Sequence, residues 1–137
     1  MTGFTMAIER GKIREFAQAT GSSDPAYLGD PTPHIPPTFL RTASFWEPAD
    51  AVSPLAELNL DLKRVLHGEQ EYEFFGPPPT AGTELTVTQR IESVTEKQGR
   101  RGGTMRFVVL AQDFRDPDGN LRAVGRLTLI ETGKAPQ

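Results

Sequence analysis

The chain has 137 residues and a net charge of −3, and 36% of its residues are hydrophobic while 24% are charged. These values fit one domain with a single hydrophobic core and exclude a disordered chain. Because the sequence has no cysteine, disulfides, thiolate metal sites and cysteine nucleophiles are excluded. Two histidines are too few for a typical zinc site, so no metal and no cofactor are expected.

The patterns of charge and hydropathy also bear on partners and location. The only basic cluster spans residues 98–103, and its glycines indicate a turn, so no nucleic-acid partner is expected. Residues 1–12 lack the apolar segment of a signal peptide, and the sequence has no apolar run long enough to span a membrane. The sequence therefore predicts a cytoplasmic protein without a membrane partner.

The first third of the chain predicts a helix followed by a long loop. Ile13, Phe16 and Ala17 recur at helical spacing, which predicts a helix from about residue 9 to residue 20. Four prolines in residues 22–36 exclude a long helix or a central strand, so this segment is expected to be a loop.

The segment from Pro37 to Trp46 predicts a second helix, since proline suits the first helical turn. Phe39, Ala43 and Trp46 lie on one face of such a helix, which is therefore expected to be deeply buried. Phe39, Phe45 and Trp46 are interpreted mainly as core residues.

The second half alternates polar and apolar residues as β-strands do, and residues 116–120 predict a hairpin turn. The predicted strands are residues 65–75, 84–95, 105–114 and 121–131. The third of them contains a run that is apolar on both faces, which is typical of a central strand. One buried helix followed by antiparallel strands predicts an α+β fold with a curved sheet around the helix. The domain is expected to span residues 1–133 and to leave 134–137 as a flexible tail.

Several short phrases resemble, in their order and spacing, the MaoC-like (R)-specific hydratases and dehydratases. They lie at residues 12–21, 24–27, 36–39, 66–72 and 81–82. The closest resemblance is to the FAS1-like N-terminal half of this family, which is its non-catalytic half. The resemblance implies a single hot-dog domain, in which an antiparallel sheet curves around a central helix, and it implies acyl-CoA or acyl-carrier-protein thioesters as ligands.

Active members of the family carry a D-x4-H motif before the central helix, within the segment G-D-x-N-P-x-H. This segment corresponds to residues 21–27, with Ser22 at the aspartate position and Tyr27 at the histidine position. A serine hydroxyl is not ionised and tyrosine has a pKa of about 10, so neither residue replaces the dyad. Active members also place His-Gly where this chain has Pro36 and Pro37, and proline lacks the N–H that would polarise the thioester carbonyl.

The resemblance therefore implies a non-catalytic subunit of a heteromeric (R)-specific 2-enoyl/3-hydroxyacyl-thioester hydratase or dehydratase, paired with a catalytic MaoC-like subunit. The inactive subunit would shape the acyl pocket, and the candidate pocket residues are Pro37, Phe39, Phe45 and Trp46. Sheets of this family pair edge to edge, which would cover an otherwise exposed strand edge.

Two alternatives stay open. The first is a self-sufficient homodimeric hydratase or thioesterase with a rearranged site, for which Asp24 and His67 are the catalytic candidates. His67 would act with Glu69 or Glu71, since alternate residues of a strand share a face. The second is an acyl-thioester-binding module without turnover. Asp24 also suits a loop cap and Tyr27 suits packing of the loop, both of which are structural roles.

Overall fold

The computed structural model describes residues 3–100 and 102–133, so the predicted tail 134–137 lies outside the described residues. The helical segments are Arg10–Ala19 (α1), Pro25–Leu28 (α2) and the 3₁₀ helices Phe39–Phe45, Pro54–Leu58 and Leu62–Arg64. The strands are Gly3–Ala7 (β1), Val65–Phe74 (β2), Glu84–Gln98 (β3), Thr104–Arg115 (β4) and Leu121–Glu131 (β5). They form one antiparallel sheet in the order β1-β3-β4-β5-β2, which confirms both the α+β class and the central position of β4.

The predicted helix and the four predicted strands are all present. α1 buries Ile13 and Ala17, as its helical spacing predicts. β3 runs three residues beyond the predicted end at residue 95, and the glycine-rich turn between β3 and β4 is closed by the Gly99 N–H, which donates to the Gly103 carbonyl at 3.0 Å. β1 was not predicted from the sequence; it pairs only with β3 at one edge of the sheet.

The predicted buried helix is a 3₁₀ helix, Phe39–Phe45, which we call the central helix. Its N–H groups bond three residues back, as from Arg41 to the Thr38 carbonyl at 3.1 Å, which gives three residues per turn. The expectation that Phe45 belongs to the core is wrong, because this side chain is 74% exposed. It lies in the last turn, after the buried residues, and there its ring contacts the Lys12 ammonium at 5.3 Å from the centroid.

The core lies between the helices and one face of the sheet, which we call the helix face; the opposite side is the outer face. Val87, Phe114 and Ala123 are buried on the helix face, where they lie in register across β3, β4 and β5. Phe39 of the central helix is fully buried in the same cluster, and its ring meets that of Phe16 edge to face at 5.6 Å. The central helix therefore packs onto the sheet through apolar side chains.

A buried carboxylate fastens the segment before β2 to the far end of the sheet. Glu131 of β5 is 6% exposed, and Arg106 of β4 donates to its Oε1 at 2.8 Å. The Asp61 N–H donates to the other oxygen at 2.6 Å, and Arg106 also donates to the Leu58 carbonyl at 3.0 Å. The hydrogen bond from Arg106 is the main cause that lowers the pKa of Glu131 below its ordinary value.

Glu131→Gln is expected to lower the free energy of unfolding by about 2 kcal/mol at pH 7, because it leaves a mostly buried guanidinium with a weaker acceptor. Since the folded pKa is lowered, the carboxylate contributes stability above its unfolded pKa, and this contribution is lost as the pH falls through the folded pKa. The difference between wild type and variant should therefore shrink between pH 5 and pH 3, as measured by urea unfolding.

Glu15→Gln is the matched control, because Glu15 pairs with Lys12 at 3.2 Å while its side chain is 71% exposed. Its effect should stay below about 0.5 kcal/mol. A gap between Glu131→Gln and wild type that does not change with pH would contradict the role given to the ionised carboxylate.

Candidate functional site

The loop that corresponds to the dyad segment is organised as a helix cap. Asp24 precedes α2, and its Oδ1 accepts the N–H of Ala26 at 2.9 Å, while Pro25 occupies the first helical position. The Ser22 hydroxyl oxygen accepts the Asp24 N–H at 3.3 Å. A carboxylate in this position satisfies free N–H groups at the start of a helix, so the contacts of Asp24 are those of a cap.

Tyr27 holds this loop against the body of the domain. Its ring is half-buried against the hydrophobic core and meets the His34 imidazole edge to face at 5.5 Å. His34 is exposed, and its backbone forms a β-bridge with Thr80. Both aromatic rings therefore connect the proline-rich loop to neighbouring structure.

The start of the central helix lacks two hydrogen-bond donors. Pro36 is buried, and its carbonyl accepts the Phe39 N–H at 3.0 Å, while Pro37 is exposed. Since proline has no N–H, neither residue can donate to a thioester carbonyl at this place. The absence of the oxyanion donor of active family members therefore stays a prediction from the sequence.

The prediction that His67, Glu69 and Glu71 share a face is wrong. His67 lies opposite Leu129 and Glu69 lies opposite Thr128, so the register shifts by one residue between them. Because neighbouring residues of β5 point to opposite faces, His67 lies on the helix face and the two glutamates on the outer face. The strand bulge that causes this shift therefore separates the imidazole from both carboxylates.

Gly68 occupies the bulge. A Cβ at this position would lie 2.8 Å from Cδ1 of Ile130 on β5, which is closer than van der Waals contact allows. Glycine is therefore the residue that fits here, as in other bulges where a backbone approaches a side chain closely.

A cavity of about 210 Å³ opens between the central helix and the helix face of the sheet. Its lining consists of Arg41, Ser44, Glu47, Ser53, Gln70, Gln89, Leu110, Gln112, Gly125 and Leu127. Arg41 and Ser44 lie three residues apart on one side of the 3₁₀ helix, and Glu47 follows just after the helix ends. The sequence interpretation missed them because it assumed α-helical spacing. Pro37, Phe39, Phe45 and Trp46, the predicted pocket residues, do not belong to this lining.

The wall of the cavity is polar. Gln89 is 6% exposed and donates from Nε2 to a Glu47 carboxylate oxygen at 3.3 Å, and Gln112 lies opposite Gln89 in the sheet. Tyr72 on β2 covers Gly125, since a Cβ there would lie 3.0 Å from the tyrosine ring. Burial raises the pKa of Tyr72, while the positive charge of Arg41 acts in the opposite direction. This arrangement can bind polar groups through an arginine, a carboxylate, amides and hydroxyls.

The described part of the chain holds neither a cluster of metal ligands nor a membrane-spanning helix. In residues 3–100 and 102–133, no three His, Asp or Glu side chains come together in a way that could hold a metal ion. None of the helices in these ranges has the length and hydropathy needed to cross a membrane.

The sequence matches a known family and several relatives. Residues 1–123 match the profile of the FAS1-like, dehydratase domain region. A UPF0336 protein of Streptomyces coelicolor is 40% identical over 100 residues, which cover 67% of this chain and 65% of the relative. A UPF0336 protein of Streptomyces griseus subsp. griseus is 35% identical over 131 residues, covering 90% of this chain and 83% of the relative.

Comparison with solved structures confirms the predicted hot-dog fold. The C-terminally truncated HadBC (3R-hydroxyacyl-ACP dehydratase) complex of Mycobacterium tuberculosis aligns with a TM-score of 0.71 at 23% identity, over 94% of each chain. The ChsH1-ChsH2 complex of the same organism gives 0.75 at 16% identity, over 99% of this chain and 85% of that one. A MaoC-like dehydratase of Phytophthora capsici gives 0.72 at 19% identity, over 99% of this chain and 47% of that one.

Substitution of Tyr27 tests whether its ring or its hydroxyl matters. Tyr27→Ala should lower the free energy of unfolding by about 2 kcal/mol, because the half-buried ring would be lost. Tyr27→Phe keeps the ring and its contact with His34, so urea unfolding should change by less than about 0.5 kcal/mol. If Tyr27→Phe instead lowered the turnover of an assembled enzyme several-fold at unchanged stability, the hydroxyl would act on the substrate.

Proposed function

Because the chain belongs to the FAS1-like dehydratase domain family, we propose that it is the non-catalytic subunit of a heteromeric (R)-specific hydratase or dehydratase. The observation that carries the proposal is a hot-dog fold whose loop before the central helix has Ser22 and Tyr27 where the sequence resemblance implies the dyad. Both lie in a loop whose polar groups and rings serve its own folding. The substrate would be a 2-enoyl or 3-hydroxyacyl thioester of coenzyme A or acyl carrier protein.

The chemistry would then be divided between two chains. Addition of water across a 2-enoyl thioester needs a base for the water, an acid for the α-carbon and a donor for the thioester oxygen. A carboxylate and an imidazole from a catalytic partner would supply the proton transfers. This chain would contribute the wall against which the acyl group lies, and it would position the group rather than react with it.

The free edge of the sheet supports a docking role. β2 has β5 on one side and no described strand on the other, so its outward N–H and C=O groups face open space. Edges of this kind invite pairing with another strand. Two of the similar solved structures, HadBC and ChsH1-ChsH2, are complexes of two different chains, and this likeness favours a second chain beside β2.

The charges on β2 favour a different chain over a second copy of this one. Glu69, Glu71 and Glu73 alternate along the outer face, and Arg126 of β5 already lies within 3.5 Å of the last two. If two copies paired by a two-fold axis perpendicular to the sheet through Glu71, that residue would face its own copy and Glu69 would face Glu73. Like charges directly opposite destabilise a strand pair, whereas a partner strand with lysines or arginines would neutralise them.

The first experiment measures hydration of crotonyl-CoA by the purified chain alone, and after mixing with a MaoC-like subunit that carries D-x4-H. The chain alone should give no rate above background, because its dyad positions supply neither a general base nor a general acid. The mixture should be at least tenfold more active than the partner alone, measured by loss of the enoyl absorbance. A control mixture carries the partner with its histidine replaced by alanine, and it should be inactive.

Robust turnover by the chain alone would overturn this proposal. The self-sufficient alternative would then apply, and Asp24→Ala and His67→Ala would be the variants to compare. An active partner to which the chain adds nothing would also count against the subunit role.

A second experiment measures self-association by sedimentation velocity. The wild-type chain should remain largely monomeric at 50 mM salt, because the glutamates of β2 oppose pairing of two copies. Glu69→Lys should promote dimers, since the new charge would lie opposite Glu73 of the other copy. Glu15→Lys makes the same change in net charge on α1 and should have no effect. A tight wild-type dimer that is indifferent to salt would contradict the assigned role of the charges.

A further inference from the structure

The cavity under the central helix differs from an apolar acyl tunnel. Three of the ten lining residues, Leu110, Leu127 and Gly125, form an apolar floor from β4 and β5. The remaining seven are polar or charged, and they come from the central helix, the segment after it and the strands. With about 210 Å³, the cavity matches a small molecule or a short acyl group in size.

Some of these polar groups are already satisfied by the protein. Gln89 donates to Glu47, and the Gln70 amide donates to the Arg126 carbonyl at 3.1 Å. The Ser53 hydroxyl accepts the Leu55 N–H at 3.2 Å. These groups form a fixed polar frame around the cavity.

Three other lining groups remain available for a ligand. Within residues 3–100 and 102–133, Arg41, Ser44 and Gln112 make no side-chain hydrogen bond or ion pair. Together they offer the guanidinium fork, one hydroxyl and one primary amide. The guanidinium is the only cationic group in the lining, and its planar donors match a carboxylate in a bidentate pair.

An unsubstituted alkyl chain would fit this cavity poorly. It would cover the half-buried amide of Gln112 without replacing the hydrogen bonds that this amide makes with water, which is unfavourable. Arg41 and Ser44 are exposed and keep their contact with water. A carboxylate would bond the guanidinium, and its neighbouring carbons would lie on the apolar floor. The chemistry of the lining thus selects for a ligand that is apolar on one side and anionic at one end.

We propose that this cavity binds a short carboxylate-bearing group, with Arg41 as the anion contact and Gln112 as a second hydrogen-bonding contact. The group could belong to a free acid or to the acyl part of a thioester. The thioester-bound form rests on the proposed function, which would then act on carboxyacyl substrates. Binding of the free acid does not depend on it.

The test uses the single tryptophan of the chain, Trp46, which directly precedes the lining residue Glu47. Its fluorescence is followed while glutarate, glutaramide, glutaryl-CoA and pentanoyl-CoA are titrated. Both members of each pair have the same number of carbons in the acid or acyl part, and only one member carries a free carboxylate. The carboxylate-bearing member of each pair should bind at least tenfold more tightly. Equal affinity within both pairs, or no binding by any of the four, would overturn the proposal.

Two variants assign the contacts. Arg41→Gln should weaken glutarate binding roughly tenfold or more, which is the size of effect expected when a charge-assisted hydrogen bond is lost. Arg10→Gln is the matched control, because Arg10 is an exposed arginine on α1 outside the lining and should leave binding unchanged. Gln112→Leu keeps the side-chain size, and it should weaken glutarate binding while it strengthens pentanoyl-CoA binding. Unchanged glutarate affinity in Arg41→Gln would overturn the assignment.

The same titrations also distinguish the proposed carboxylate site from the proposed subunit function. Tighter binding of glutaryl-CoA than of glutarate would identify a thioester-linked ligand, and equal affinity would identify the free acid. Glutarate selectivity in a chain that never stimulates a catalytic partner would leave the cavity as a carboxylate site and remove the subunit role. Stimulation of a partner without any preference for a carboxylate would support the subunit role and overturn the carboxylate site.

Discussion

Packing of the central helix against the helix face of the sheet is the contact on which the other features depend. Phe39 and Leu40 are fully buried there, and each such side chain contributes about 1.5–3 kcal/mol by leaving water. Because a 3₁₀ helix repeats every three residues, burial of these positions leaves the side with Arg41 and Ser44 free to line the cavity, and Glu47 lines it just after the helix ends. One short helix thus supplies both the apolar centre of the domain and the polar wall beside it.

Most of the fold could be predicted from the sequence, because hydrophobic periodicity reports burial directly. α1 and the four long strands follow from such periods, and the two-sided apolar run placed β4 at the centre. β1 escaped notice because Gly3–Ala7 is too short for a clear alternation and has a single neighbour. The pitch of the central helix was not predicted, since apolar residues at 39, 43 and 46 follow the spacing of an α-helix, whereas its N–H groups bond three residues back. This difference in pitch hid the side that lines the cavity.

The candidate acid/base pair of His67 and Glu69 was predicted wrongly, because the faces of these residues depend on a single β-bulge. Strict alternation would place His67 beside Glu69, and such a pair could replace a lost acid/base dyad. The bulge at Gly68 reverses the faces at this point, because β2 advances by two residues there while β5 advances by one. A glycine in a strand can signal a bulge, but its position in the register is fixed only by pairing with β5.

The bulge also determines which residues of the edge strand β2 lie on each face of the sheet. Gln70 of β2 reaches the cavity on the helix face, while Glu69 and Glu71 form part of the acidic row on the outer face. A basic strand that paired with β2 would therefore neutralise Glu69, Glu71 and Glu73, and it would also lie beside the cavity. If the chain docks a catalytic partner along this edge, the ligand would lie near the junction of the two chains. The contribution of this chain to the chemistry would then come from its surfaces, because the side chains of its dyad segment are engaged in holding the loop.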